Sequence, residues 1–214
     1  MLTYSHNIEV LPLNKFGNEF WNDRYSSNDF VYGAEPNVFF KDKLDKINPG
    51  KLLLLGEGEG RNAVYAARNG WNVGAVDFSD IAKDKALKFA DDYSVEINYE
   101  VSDLATYNPR INYYDAVGII FLHLNPRIRE SVHSRIVAAL KPGGTLILEV
   151  YDKEQLGKSS GGPQNIDMLY SKEELLSDFK KMKIQELEKK LIMLNESKHH
   201  KGKAAVVRLI AIKI

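Results

Sequence analysis

Gly56, Gly58 and Gly60 alternate with Glu57 and Glu59 directly after the apolar run Leu52 to Leu55, and a stretch of helical pattern follows. Glycines so placed permit backbone conformations and close approaches that a side chain forbids, as a turn wrapped around a nucleotide requires. Such turns usually meet phosphate at the N-terminus of the next helix. Here two carboxylates stand where that anion is expected. Another acid, Asp77, lies 17 residues beyond Gly60, near the spacing at which a carboxylate accepts both ribose hydroxyls. Capping of the following helix is the other role open to it. Asp103, in VSDLATY, is placed to accept the exocyclic amine of adenine or to stay a solvated loop aspartate.

Two cofactor classes compete for the loop. Gly58, Gly60 and Ala63 satisfy G-x-G-x-x-[GA], so an NAD(P)-dependent oxidoreductase is one reading. Charge separates the two. Glutamates on either side would repel a pyrophosphate, whereas S-adenosylmethionine has no phosphate and carries a sulfonium and an ammonium. Glu57, next to the strand, is the better ligand candidate, and Glu59 is expected to point to solvent. Among the histidines, His123 follows the fourth strand and reads as a general base or as a loop residue bonded to backbone. His199 and His200 fall in a polar turn near the C-terminus. His6 and His133 read as structural, the latter on the exposed side of a helix.

The elements that must position these groups alternate along the chain. Strands are expected at Lys51 to Gly56, Asn72 to Asp77, Ile97 to Val101, Tyr114 to Phe121 and Thr145 to Val150. Several are apolar on consecutive residues, the pattern of parallel strands covered on both faces. Between them, Arg61 to Asn69 stops at Gly70, and Ser79 caps a helix carrying Ala82, Ala86, Phe89 and Tyr93. Pro126 opens a helix with Ile128, Val132, Ile136 and Leu140, which Pro142-Gly143-Gly144 is expected to end. Ser171 and Glu174 form a capping-box pattern ahead of Leu175, Leu176 and Phe179. Glu186 to Leu194 and Ala204 to Ile214 flank the turn NESKHHKG as an antiparallel pair. Upstream, Phe16, Phe20 and Arg24 share a helical face with Trp21 beside them, and Pro36 is expected to open a helix bearing Phe40, Leu44 and Ile47.

Composition narrows the function. A chain of 214 residues suits one domain. Lys plus Arg equals Asp plus Glu at 29 each, so no charge excess recommends nucleic acid. Cysteine is absent, which removes disulfides, thiolate nucleophiles and cysteine metal sites. No apolar stretch nears the roughly 18 residues of a membrane span, and the first residues lack a signal-peptide pattern. The expectation is a cytoplasmic protein with no membrane, nucleic-acid or metal partner, acting on a small molecule.

Taken together, LLLLGEGEGRNAVYAARNGWNVGAVDFS, VSDL, YDAVGIIFLHL and ALKPGGTLILEVY resemble the consecutive motifs of class I S-adenosylmethionine-dependent methyltransferases. EGEGRNAVY and the upstream WNDRYSSNDFVYGAEPNVFF resemble the branch containing tellurite-resistance and thiopurine-methyltransferase-like proteins. The resemblance implies an α/β, Rossmann-like three-layer sandwich with a mostly parallel seven-stranded sheet and a terminal antiparallel hairpin. It implies a single domain over 1–214, with 1–48 a helical lid segment on a core of 49–214. Gly56, Gly58 and Gly60 would let backbone approach the methionine portion, Glu57 would assist at its ammonium, Asp77 would hold the ribose and Asp103 the adenine. Phe78 and Leu104 would lie against that ring, Ile120 and Phe121 around the methyl, and Trp21 and Tyr32 in the lid over the sulfonium. His123 and His200 are the catalytic candidates. The tellurite-resistance relatives carry a His-Arg pair where this chain has His200-Lys201, and lysine lacks the planar fork that grips an oxyanion. A non-catalytic binder of the cofactor is a third reading. Tyr151 to Ser171 is the long loop expected to shape the acceptor pocket.

Overall fold

The computed structural model describes residues 17–214; Phe16 and His6 lie outside the described residues. Seven strands form one sheet: β1 Lys51–Leu55, β2 Asn72–Asp77, β3 Asn98–Val101, β4 Tyr114–Ile120, β5 Leu140–Tyr151, β6 Met182–Asn195 and β7 Lys201–Lys213. Their order is β3-β2-β1-β4-β5-β7-β6. β1 to β5 pair in parallel, and β7 is antiparallel to both β5 and β6. The chain moves outward from β1 to β3 and then returns to place β4 on the other side of β1. That reversal makes a topological switch point at the carboxyl ends of β1 and β4, where ligands of such sheets bind.

Among the described residues six α-helices cover the sheet: α1 Asn18–Tyr25, α2 Val38–Leu44, α3 Arg61–Arg68, α4 Asp80–Asp92, α5 Pro126–Ala139 and α6 Lys172–Asp178. On one face, Phe39, Phe40 and Leu44 of α2 pack with Ala63, Val64 and Ala66 of α3 against Leu52, Leu54 and Ala116. On the other, Val132 and Ile136 of α5 and Leu175 and Phe179 cover Leu53, Val117, Leu146 and Leu209. Each Val, Leu, Ile or Phe side chain among these, fully removed from water, contributes about 1.5–3 kcal/mol. Gly118 exists for this packing: a Cβ there would come within 3.1 Å of Phe40 Cε2 and closer to Leu54.

Two boundaries differ from the sequence pattern. Pro142-Gly143-Gly144 does not separate helix from strand, because β5 already begins at Leu140, paired with Tyr114. The register then shifts before Ala116 meets Thr145, so the glycines lie in an irregular strand start. Pro36 does not open α2 either. Asn37 is its N-cap, its side chain accepting from the Phe40 amide at 2.8 Å, and Ile47 falls past the helix end. The Ser79 cap and the Ser171–Glu174 capping box are both formed. Among the described residues, no helix is long and apolar enough to cross a membrane.

Candidate functional site

Gly56, Gly58 and Gly60 carry φ of +62°, +61° and +87°, the left-handed region open to glycine. The loop folds back on the sheet through the Gly56 amide, which donates to the Val76 carbonyl at 2.8 Å. Glu57 turns inward. Its Oε1 accepts from the amides of Asn62 at 2.9 Å and Ala63 at 2.7 Å. Gly60, the N-cap of α3, has no side chain with which to do this. The carboxylate therefore supplies the cap and meets the positive end of the helix. Burial pushes the Glu57 pKa up to about 7, with the Ala63 and Asn62 hydrogen bonds opposing.

Asp77 closes the other side of the loop. Its Oδ2 accepts from the Gly58 amide at 2.9 Å and its Oδ1 from the Ser79 amide at 3.0 Å. No cation pairs with it among the described residues, and burial raises its pKa against those backbone bonds. The field of these acids is felt nearby. Burial first, and then Asp77 and the glutamates, drive the Tyr25 and Tyr99 hydroxyls upward.

Glu59 corrects an expectation. Rather than pointing to solvent it is 5% exposed, accepting from the Val31 amide at 2.7 Å and pairing with Lys85. The same ammonium donates to the carbonyls of Ser27 and Asp29, both at 2.8 Å. These contacts lie more than 25 residues apart in sequence, which is why no local pattern announces them. They hold the segment after α1 across the glycine loop, and the buried Tyr25 lies against Gly58, where an added Cβ would meet its hydroxyl at 2.7 Å. Trp21 stacks on Tyr25 at 5.8 Å, one layer out from the loop. Tyr25, not Trp21, is thus the aromatic seated on the glycines; its place in FWNDRY was visible, its burial was not.

The remaining candidates divide. Phe78 is partly exposed beside Asp77. Asp103 uses its Oδ1 for the Ala105 amide at 2.8 Å, and Leu104 and Ile120 are buried within the two main cores. Phe121 has φ of +52°, rare for a bulky residue and costly by about 1–3 kcal/mol. Its ring packs 4.7 Å from that of Tyr151 and 4.8 Å from that of His200, with Tyr32 4.7 Å from the same imidazole. Phe121, Tyr151, Tyr32 and His200 therefore meet over the carboxyl ends of β4 and β5.

The two histidine candidates separate. The ring of His123 stacks on Tyr151 at 5.3 Å, its Nδ1 lies 3.1 Å from the Met168 carbonyl and its Nε2 faces the Tyr151 amide at 3.5 Å. With burial pushing its pKa down to about 4, it is a weak base with both nitrogens turned to backbone. His200 instead pairs with Glu196 at 2.9 Å. His133, expected on an exposed helix side, is fully buried, with Nδ1 2.8 Å from Asp178. The pairing partner, 45 residues on, explains why a helix pattern misplaces it.

A polar network absent from the sequence reading ties the loop to the sheet. Asn62 Oδ1 accepts from the Asn37 amide at 2.9 Å, Asn37 Nδ2 donates to buried Glu149 at 2.6 Å, and Arg208 donates to the other Glu149 oxygen at 2.5 Å. Asn37 and Glu149 lie 112 positions apart, so only the fold reveals the link. It fixes the start of α2 and of α3 against β5 and β7.

A switch-point glycine loop ringed by buried acids defines a Rossmann-like domain suited to a phosphate-free nucleoside ligand. Residues 52–144, which span the loop and the strands β1 to β4, match the family model described as a methyltransferase domain. The fold is that of class I S-adenosylmethionine-dependent methyltransferases. TehB from Haemophilus influenzae superposes with a TM-score of 0.70 at 18% identity, over 92% of this chain and 67% of that one. An S-adenosylmethionine-dependent methyltransferase from Clostridium acetobutylicum gives 0.62 at 15%, over 82% and 89%. The [4+2]-cyclase SpnF gives 0.66 at 15%, over 90% and 91%. At such identities these likenesses establish the fold. No curated protein matches the chain by sequence.

Proposed function

We propose that the protein transfers the methyl group of S-adenosylmethionine to a small molecule held at the carboxyl edge of β4 and β5. One observation carries the reading: buried Asp77 stands beside the glycine loop with no cationic partner among the described residues, and Glu57 and Glu59 flank it. A diphosphate would face the carboxyl groups of Asp77 and Glu57, neither of which is paired with a cation among the described residues, whereas a sulfonium and an ammonium are attracted by them; Glu59 is already paired with Lys85. Gly56, Gly58 and Gly60 would admit the methionine portion, Glu57 would lend its negative field, Asp77 would hold the ribose and Asp103 the adenine, with Phe78 against the ring. The cofactor supplies a methyl group on a positively charged sulfur, open to attack by an acceptor lone pair. The chain's own task is alignment and exclusion of water. Residues 17–48 act as the lid on the core 49–214, Tyr25 covering the loop and Tyr32 reaching the acceptor side. The strained Phe121 backbone fixes an aromatic wall where the acceptor sits.

Calorimetry tests the reading. S-adenosylmethionine and S-adenosylhomocysteine should bind, and Asp77→Ala should weaken both by roughly 10- to 100-fold, the loss of two hydrogen bonds to a charged group. Binding of NADH with no heat from S-adenosylmethionine would install the oxidoreductase instead. A second reading, cofactor binding without methyl transfer, draws on the fold shared with a cyclase. Detection of methylated products by mass separates the two.

A further inference from the structure

Between β3 and β4 the chain runs as turns and loop over residues 102–113, and no helix stands there. The sheet face that α5 covers farther along is left open at β2 and β3. A groove of about 270 Å³ results, with Gly74 of β2 in its floor, Tyr107 and Tyr114 beside it, and Asn98 and Glu100 of β3 at its rim. Paired residues of neighbouring strands share a face, so the register Gly74↔Asn98 and Val76↔Glu100 turns both rim side chains to the groove.

Gly74 points to an occupant. Its φ lies outside the left-handed region, and a Cβ on it would meet Leu53 Cδ1 at 3.6 Å and Tyr114 Cε1 at 3.9 Å, ordinary contacts. Neither backbone nor packing demands glycine here, in contrast to Gly118. Glycine inside a strand weakens it, and it recurs where a ligand approaches the backbone.

Charge and rings define what approaches. Glu100 carries an exposed carboxylate that joins no ion pair or hydrogen bond among the described residues. Its charge acts on the Tyr107 and Tyr114 hydroxyls, which also interact with each other. Burial first, and then these neighbours, raise the Tyr107 pKa, and burial raises that of Tyr114, so both rings stay neutral phenols. The adjacent Tyr113 already holds two cations over its ring, Lys51 at 4.0 Å and Arg110 at 4.3 Å from the centroid. No cation lies over Tyr107 or Tyr114 among the described residues. An anion would meet Glu100 unshielded, and a single carboxylate is far short of the oxygen shell that a divalent metal needs.

We propose that this groove is a second binding site, for a small organic cation: an ammonium head paired with Glu100, on a flat apolar body laid over Gly74 beside Tyr107 and Tyr114. Aromatic faces attract such a head. The volume lies under the roughly 300 Å³ at which drug-sized pockets begin, so the body is a single ring. The other face of β3 carries Tyr99, whose hydroxyl donates to the Gly58 carbonyl at 2.7 Å. The strand pair β2–β3 thus has the groove on one face and its tie to the glycine loop on the other, and the groove would bind whether or not the protein transfers methyl groups.

Titration of the full chain near neutral pH with phenethylamine, phenethyl alcohol and hydrocinnamate, followed by nitrogen-15 NMR, tests the site. The amine should shift the Gly74 and Glu100 amides saturably, with a dissociation constant of about 1 mM or tighter, and the alcohol and the acid should bind at least about 3-fold more weakly. Glu100→Gln should lower amine affinity by at least about 3-fold. Gly74→Ala, which puts a methyl group on the floor, should lower it as much while the thermal midpoint holds or rises. Absence of shifts at those amides, equal affinity for the alcohol or the acid, or wild-type affinity in either variant overturns the proposal. A fall in the midpoint of Gly74→Ala overturns it too, by showing that the fold itself requires glycine there.

Discussion

Glu57 aims its carboxylate at its own backbone, and that choice carries a pH signature. A carboxyl whose folded pKa is raised from 4.5 to about 7 favours folding most while protonated in the folded state. Its contribution is complete below the unfolded value and is lost as pH rises through about 7. The loss is on the order of 3 kcal/mol. Gln keeps an oxygen for the Asn62 and Ala63 amides without the charge. Urea midpoints taken at pH 5 and pH 8 should therefore fall with pH more steeply in the wild type than in Glu57→Gln. Equal slopes would mean that the carboxylate is solvated. The residue types of the loop were legible because glycines and acids sit in one short run. The partner of each acid was not: Glu57 caps locally, but Glu59 finds Lys85 and Val31 only after the chain has folded.

At the scale of elements, Lys85 of α4 is the clasp of the N-terminal segment. Its ammonium pairs with Glu59 of the glycine loop and donates to the carbonyls of Ser27 and Asp29 in the stretch between α1 and α2. Lys85→Ala would leave the nearly inaccessible Glu59 carboxylate buried without its cation, held by the Val31 amide alone, a change worth roughly 3 kcal/mol or more. Amide exchange should quicken at Val31 and its neighbours at least ten-fold, while Leu53 and Val117 in the central strands keep their protection. Uniform quickening would show that the segment is integral to the core and not a separable cover. The parallel strands and amphipathic helices behind this clasp could be read in advance, since consecutive apolar residues and Ser79 or Ser171 caps are local signals. The start of β5 and the burial of His133 could not, because a register shift and a partner on α6 set them.

Over the whole molecule, placing β7 between β5 and β6 returns the 196–200 turn to the carboxyl edge, beside Phe121, Tyr151 and the N-terminal segment. Gly33 is one of the points where the N-terminal segment touches the turn between β6 and β7. Its φ is +83°, and a Cβ there would collide with the Glu196 carbonyl. Gly33→Ala therefore combines left-handed strain of about 1–2 kcal/mol with displacement of either the segment or the turn. If residues 17–48 close over bound cofactor, this cost is borne on closure, and affinity for S-adenosylhomocysteine should drop about 5- to 30-fold. The thermal midpoint of the cofactor-free protein should change little, since an opened segment relieves the collision. A static wall reverses the pattern: the midpoint falls because the strain is present in every folded molecule, and affinity survives in those that remain folded. Calorimetry and melting curves on this one variant thus distinguish a cover that moves from packing that does not.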